Sequence, residues 1–578
     1  MKYLTNPFAV PESSGLPREV FGWRPYLVTF SASWAAACYG YDGGFIGGTL
    51  ALPSFQHAFG LDDAASAKAL AGLKSNIVTT FQAGAFFGAI VGYFAGAVLG
   101  VGRKPALLAA MATMVVGSIL ELFAHVAMLY TGRALTGLAV GSAMLVLPIY
   151  IAEVAPNAIR GRLVAIFEIM VQVFLVLGFW VNYGVVRNLP GATSSAQWRI
   201  PFALQFIPAV LCIVSVPCMI ESPRWLLTRG RVDEARAALA WVRHLPDDHA
   251  LVQAELADAQ ASIALEQELD DGRGVGSSSG RSGRSGRRPP AGVVREHRRL
   301  WRELAAPGVR NRVLLSVALM MLQQLTGINA VNYFSPVIFQ ELGYSTTEVA
   351  LLATGVYGIV KMVSSVLFSF FVVDRFGRRP PMLVGAVVMA VCMFYVGAFA
   401  KIVGSSPATA TATATATAQV GGGSPGGQAA LAMIYIYIIA NSASWTSIPW
   451  IFAAEVFPTR VRSFAMMFPT CTQYLGQFVV VYSLPYMVNS IQYGTYLFYA
   501  AWIVVGFVFT YFFVPETKGV TLEDMDLLFD AGAPVWARAA RRRYETAHAA
   551  GVTAVAVHRL ETDGKEVQVG GVEQIEGA

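Results

Sequence analysis

Charge is what this sequence has least of. Only 13% of its 578 residues are Asp, Glu, Lys or Arg, against 55% hydrophobic, and the mean hydropathy is +0.53. That balance excludes a soluble globule and leaves too much apolar chain for one helical hairpin, so a polytopic membrane protein is implied. Cysteine is also scarce: Cys38, Cys212, Cys218, Cys392 and Cys471 all fall within apolar runs, where a small buried thiol is the default. Neither a disulfide framework nor a metal site is expected. The seven histidines are scattered, and no phosphate loop, metal-spaced His/Cys cluster or nucleophile motif occurs, so enzyme readings and bound cofactors have no chemistry to build on. The first 23 residues lack the apolar core of a cleavable signal, so the first apolar run is expected to stay in place.

A span needs about 20 mostly apolar residues to cross roughly 30 Å of hydrocarbon. Twelve candidates occur, near 26–50, 75–98, 105–126, 128–152, 163–186, 200–220, 313–341, 349–373, 381–403, 428–453, 464–488 and 494–514. The net charge of +6 would suggest nucleic acid in a soluble protein, but the basic clusters follow the even-numbered spans: GRK at 102, RGR at 160, the Arg-rich segment 222–312, DRFGRR at 374, TRVR at 459 and RRR at 541. Topology accounts for them, with both termini cytoplasmic by the positive-inside bias. The chain divides into an N-terminal segment 1–25, a six-span half 26–220, a connector 221–312, a second half 313–514 and a tail 515–578. The connector combines an amphipathic helical part with RGVGSSSGRSGRSGRRPP, which reads as flexible low-complexity chain lying against the inner face. The loop 404–427, containing ATATATATATA, reads as disordered and external.

Three signals recur in one order in both halves. VGRKP (102–105 with Val101), EVAPNAIRGR (153–162) and ESPRWL (221–226) are followed by DRFGRRP (374–380), EVFPTRVR (455–462) and PETKG (515–519). Each stands at the same topological end of its spans, which implies two parallel six-helix halves related by an axis along the membrane normal, with a substrate site near the midplane between them. Acids and arginines at these ends can make charge-assisted hydrogen bonds that separate during transport. Glu153, Arg160, Arg162, Glu221 and Arg224 in the first half, and Asp374, Arg378, Glu455, Arg462 and Glu516 in the second, are therefore the candidate gate. A static anchoring role is open for any single motif; repetition favours the gate.

With GYDGGFIGG, GRALTGLAVG and QQLTGINAVNYFSP added, this ordered set resembles the sugar porter branch of the major facilitator superfamily over nearly all of residues 20–530. The resemblance implies an all-α membrane protein of twelve transmembrane helices in two six-helix pseudo-repeats. One departure stands out: Leu99 occupies the place of the family's usual first-half acid, which shifts the expected gating weight to Glu153, Arg160 and Glu221.

Ionisable groups inside spans are costly and mark pathways or couplings. Asp42 lies roughly 12 Å from the outer end of span one, and Arg133 lies at nearly the same depth in span four. A pair is geometrically allowed; it reads either as a proton-coupling site, the role these positions hold in proton-coupled relatives, or as a permanent ion pair. Lys361 near the centre of span eight suits an anionic substrate or pairs with Glu168 of span five, which stands where hexose porters usually carry Gln. Gln323, Gln324, Asn329 and Asn332 put amides on one broad face of span seven, where Gly327 is a candidate bend, and amides both donate to and accept from hydroxyls. The resemblance adds Trp450, Gln473 and Tyr474 as stacking and hydrogen-bonding positions.

Within the branch the chain is most similar to fungal quinate permeases, carried by GRLVAIFEIMVQVFLVLGFWVNYGV, TGVYGIVKMV and SWTSIPWIFAAEVFPTRVRSF. The resemblance therefore implies proton symport of quinate or a related sugar acid or sugar by a monomer in the plasma membrane, with proton, lipid bilayer and small polyol as partners and no nucleic acid. A hexose, pentose or polyol carrier, a facilitative uniporter and a nontransporting nutrient sensor of the same fold are the alternatives.

Overall fold

The computed structural model describes residues 17–61, 67–156, 159–189, 194–272, 300–341, 347–371, 376–404, 425–458, 461–518, 520, 525–529 and 536–549. The Arg-rich stretch of the connector, the threonine-rich loop, Asp374, the side chain of Arg160 and the end of the tail lie outside the described residues.

The first half runs α1 (Trp23–Leu50), α2 (Ala67–Tyr93), α3 (Arg103–Glu121), α4 (Val126–Val154), α5 (Arg160–Asn188), and then α6 (Ser195–Leu204) and α7 (Phe206–Ser215), which together make the sixth span. The connector holds α8 (Pro223–Thr228), α9 (Val232–Arg243) and α10 (Ala250–Gly272). In the second half, α11 (Pro307–Leu325) and α12 (Ile328–Glu341) share span seven, followed by α13 (Thr347–Phe371), α14 (Arg379–Gly404), α15 (Pro425–Ser442) and α16 (Ile448–Val456) sharing span ten, α17 (Arg462–Ile491) and α18 (Gly494–Phe513). A helix in the tail, α19, covers Ala537–Ala549.

Nine helices among the described residues are long and apolar enough to cross a membrane by length and composition. The remaining three spans of the fold, α1, α15 with α16, and α17, carry Gly, hydroxyl and amide groups or a mid-span break, which dilutes their apolar runs. The helix of span three stops at Glu121, short of the 126 expected.

One apolar core lies within the first half, a second is built mainly from the second half, and a third joins Tyr41 and Phe45 to Tyr333 and Val480 across the halves, which meet where α2 packs on α17, α5 on α13 and α1 on α12. The α2–α17 seam is closed at both ends: Tyr93 and Phe464 stack with ring centroids 5.3 Å apart at the motif end, and Ser75 Oγ donates to the Tyr482 carbonyl at 3.0 Å toward the other.

The amphipathic connector forms its own small core from Leu226, Leu239, Val252 and Leu256. Arg243 ties it to the first half by donating to the Val154 carbonyl at 3.0 Å and to Glu255 at 2.9 Å. Burial pulls the Arg243 guanidinium below its ordinary pKa, and Glu255 opposes that. Arg24 donates to the Trp241 carbonyl at 2.8 Å and lies over the same indole.

Candidate functional site

The glycine-rich stretch of α1 stays helical throughout; close approach, not local unwinding, is its use. Gly40 and Gly44 fall on one ridge that meets α5 so tightly that an added methyl would sit 2.0 Å from the Val171 carbonyl and 2.1 Å from that of Leu175. This contact holds Asp42 inside the half, 1% exposed, beside Arg133 of α4 at 0%. The guanidinium grips both carboxylate oxygens: Nη1 donates to Oδ1, and Nη2 donates to Oδ2 at 3.2 Å. Its Nε donates to the Ile77 carbonyl at 3.3 Å, and the Phe81 ring lies 4.8 Å away. The pair is thus fully desolvated and shared among three helices.

A second buried carboxylate, Glu121 at the end of α3, escaped the sequence reading. It accepts from the Thr136 hydroxyl at 3.0 Å and from Gln205 Nε2, and its charge acts on Arg133 through space. The signal that could have found it was present: one acid in the apolar run MATMVVGSILELF.

The polar side chains of span seven form one continuous chain of hydrogen bonds. The helix breaks at Gly327, whose φ is +87°, between α11 and α12. That break brings Asn329 Nδ2 to Gln324 Oε1; Asn332 Nδ2 then donates to Asn329 Oδ1 at 3.3 Å. Asn332 Oδ1 in turn accepts from the Tyr357 hydroxyl at 2.8 Å and from Lys361 Nζ at 3.3 Å. Lys361, 5% exposed, therefore ends the amide chain. No ion pair joins Lys361 to Glu168: the two charges act on each other through space, and Glu168 Oε1 accepts instead from Gln172 Nε2 at 2.8 Å. The expected alternative of a direct pair across the halves is not formed, because each group is held by an amide on its own side.

Gln323 has a divided role. Its Nε2 donates to the carbonyls of Trp445 and Thr446, both at 2.8 Å, satisfying backbone groups freed where span ten is interrupted between α15 and α16. Buried polar atoms are normally partnered, yet Gln323 Oε1, Gln324 Nε2, Gln473 Oε1 and Gln172 Oε1 have no protein partner. These four atoms give the interior both donors and acceptors for hydroxyls. Trp450 of α16 is partly buried against the second core, and Gln473 and Tyr474 of α17 are buried.

At the motif ends the two halves repeat the same set of contacts. Arg103 donates from Nη2 and Nε to the two oxygens of Glu153 at 2.7 and 2.9 Å, while Arg378 Nη2 donates to Glu455 at 2.6 Å. Ser222 Oγ donates to Glu153 at 2.6 Å, as Thr517 Oγ1 does to Glu455 at 2.8 Å. Glu221 accepts from the Arg103 N–H at 3.0 Å and the Ser222 N–H at 2.9 Å; Glu516 accepts from the N–H groups of Arg378 and Arg379 at 3.0 Å each. Arg103, Ser222 and Thr517 were absent from the expected gate, although aligning VGRKP with FGRRP places Arg103 opposite Arg378. Leu99, in the place of the missing acid, is 74% exposed. Arg462 donates to the Phe457 carbonyl at 3.1 Å, turning back on its own loop. Arg162 and Arg224 sit half-buried at the starts of α5 and α8.

Comparison with known proteins places this arrangement. The family model for "Sugar (and other) transporter" matches residues 28–529. The chain is 37% identical over 539 residues to a probable quinate permease of Neosartorya fischeri, covering 91% of each chain, and 37% identical to the quinate permease of Emericella nidulans, covering 91% and 92%. Among solved structures it superimposes with a TM-score of 0.68 on the proton:xylose symporter XylE bound to 6-bromo-6-deoxy-D-glucose, at 26% identity, covering 88% of this chain and 99% of the other. An inward open XylE from E. coli gives a TM-score of 0.65 at 26% identity, covering 88% and 100%. Twelve helices in two repeated halves, a buried amide-lined interior and a family match over most of the length together establish that this chain is an integral membrane protein belonging to the sugar transporter family of the major facilitator superfamily.

Proposed function

We propose that the protein is a proton-coupled symporter for quinate or a closely related sugar acid, working by alternating access. The observation that carries the reading is Lys361 at the end of the Gln324–Asn329–Asn332 chain: a cation among amides suits a polyhydroxylated ring bearing one carboxylate, with the amides serving hydroxyls and the ammonium serving the anion. The relatives named as quinate permeases support the same substrate class.

Proton coupling falls to Asp42 and Arg133, which stand apart from the amide chain. A carboxylate fully desolvated against one guanidinium changes its proton affinity when that partner moves away. Alternating access supplies the movement. The repeated Arg103–Glu153 and Arg378–Glu455 contacts hold the motif ends of the two halves, and their separation is the opening step on that side. The basic connections support a cytoplasmic position for that side and for both termini, and the site of action in this reading is the plasma membrane.

The test is uptake of radiolabelled quinate, glucose, xylose, inositol and galacturonate by a transporter-null host expressing the chain. Quinate or galacturonate uptake that rises with external acidity supports the reading. Uptake confined to neutral sugars favours the second reading, a neutral-sugar carrier, to which Glu168 near Lys361 would contribute by balancing the cation.

A further inference from the structure

The Asp42–Arg133 pair has a third member that pairing alone does not explain. Glu121 is 0% exposed, acts on Arg133 through space, and is bonded only to neutral donors, Gln205 and the Thr136 hydroxyl one turn of α4 beyond Arg133. Two carboxylates and one guanidinium in an interior closed to water carry an excess negative charge if both acids are ionised, and an uncompensated buried charge is strongly disfavoured. The other titratable groups acting on Asp42 are the Cys38 thiol and the Tyr39 and Tyr333 phenols, and none is a cation. On the elements around α3, Tyr41 donates to the Pro201 carbonyl, Cys212 lies buried on α7, Glu168 lies on α5, His125 is exposed at the start of α4, and Arg199 is exposed on α6. Among the described residues, Arg133 is the single cation bonded within the cluster.

We propose that Glu121 is a second proton-binding group, so that Asp42 and Glu121 share one counter-ion, Arg133, and one proton. This rests on the proton-symport reading and deepens it. With Arg133 bonded to Asp42, the proton belongs on Glu121. Gln205 can serve both states: Nε2 donates to Glu121 as it stands, and its Oε1 is buried without a partner, so turning the amide by half a rotation presents that carbonyl to a Glu121 O–H. When Asp42 takes a proton from the outside, Arg133 is released toward Glu121, whose own proton passes to the inside as the ion pair re-forms; the proton on Asp42 then returns to Glu121 as Arg133 swings back to Asp42. Each cycle takes one proton from outside, delivers one inside, and begins and ends with one proton and no net charge on the cluster. Glu121 thereby removes the barrier that a lone Asp42–Arg133 pair would face, the stranding of a buried guanidinium.

The experiment is infrared spectroscopy of the full-length purified protein at neutral pH, comparing the parent with Glu121→Gln in the region of the protonated carboxyl C=O stretch. The parent shows a band that Glu121→Gln lacks and that Asp42→Asn also loses, since a neutral residue 42 frees Arg133 to pair with an ionised Glu121; identical parent and Glu121→Gln spectra overturn the proposal. Should Glu121→Gln fail to accumulate, Gln205→Leu is read instead: loss of the amide moves the band to higher wavenumber, and an unmoved band overturns the proposal. In proteoliposomes, Glu121→Gln shifts the pH midpoint of radiolabelled quinate uptake to the acid side by on the order of one pH unit, because protonating Asp42 then leaves Arg133 unpaired. The double change Glu121→Gln with Gln205→Glu restores the parental midpoint. Parental uptake insensitive to pH would defeat the symport reading, whereas a pH-sensitive parent with an unshifted Glu121→Gln defeats this one alone.

Discussion

The carbonyl of Tyr333 lies so close to Gly47 that a methyl group at Gly47 would stand 2.1 Å from it. One residue away, Asn332 carries the lysine-linked amide chain; five residues before Gly47 stands Asp42. The α1–α12 contact therefore joins the helix that carries Asp42 directly to the one that carries the amide chain.

Because the obstacle is backbone, it cannot yield by a rotamer change. Gly47→Ala is expected to hold α1 off α12 and to lower uptake at least tenfold while the protein still reaches the membrane. Uptake normalised to surface protein checks this; a parental rate would show that the halves need not close here.

The repeated charge contacts predict repeated phenotypes. Arg103→Ala leaves Glu153 with the Ser222 hydroxyl, and Arg378→Ala leaves Glu455 with that of Thr517. Both changes should make cysteines introduced near Tyr93 and Phe464 more reactive to a water-soluble thiol reagent, with a coupling in the Arg103/Glu153 double-mutant cycle of about 1–3 kcal/mol. A response in only one half would break the equivalence.

Gly327 is held at φ +87° with its α-carbon face against the Tyr499 ring, where a methyl would meet Cγ at 2.8 Å. Gly327→Ala should cost about 1–2 kcal/mol from the left-handed backbone alone, read as a lower melting temperature of the purified protein, and should weaken substrate binding by displacing Asn329 and Asn332. An unchanged melting temperature would argue against the break.

For Lys361, the prediction concerns selectivity. Lys361→Asn should impair quinate uptake far more than uptake of a neutral hexose, since the amides on either side of it remain. Equal loss for both solutes would remove the argument for an anion.

Much of this architecture is legible in the sequence, and the reasons are physical. Spans are written by length and composition, and the halves by motifs that recur at equivalent helix ends; the Asp42–Arg133 juxtaposition follows from depth counting at a fixed rise per residue. The use of glycine in α1 was not decidable that way, since the same residues serve either unwinding or close packing, and only the α5 backbone, which a methyl added at Gly40 would meet at 2.0 Å, settles it. Glu121 was missed because an acid near a predicted span end reads as interfacial; its burial depends on Gln205 from a distant segment. Arg103 was passed over as a topological charge, although its repeat partner Arg378 had been singled out. Lys361 was placed correctly in depth, but its partner could not be chosen from sequence, because Asn332 and Glu168 lie on different halves and only the packing brings the first within 3.3 Å.

The central claim, that Asp42 handles the proton while the amide chain and Lys361 handle the solute, is tested most directly by proton-driven quinate accumulation in vesicles bearing Asp42→Asn. The account predicts loss of accumulation under an imposed pH gradient with quinate exchange down its own gradient retained. Accumulation that survives the substitution, or parental uptake indifferent to the gradient, would contradict it.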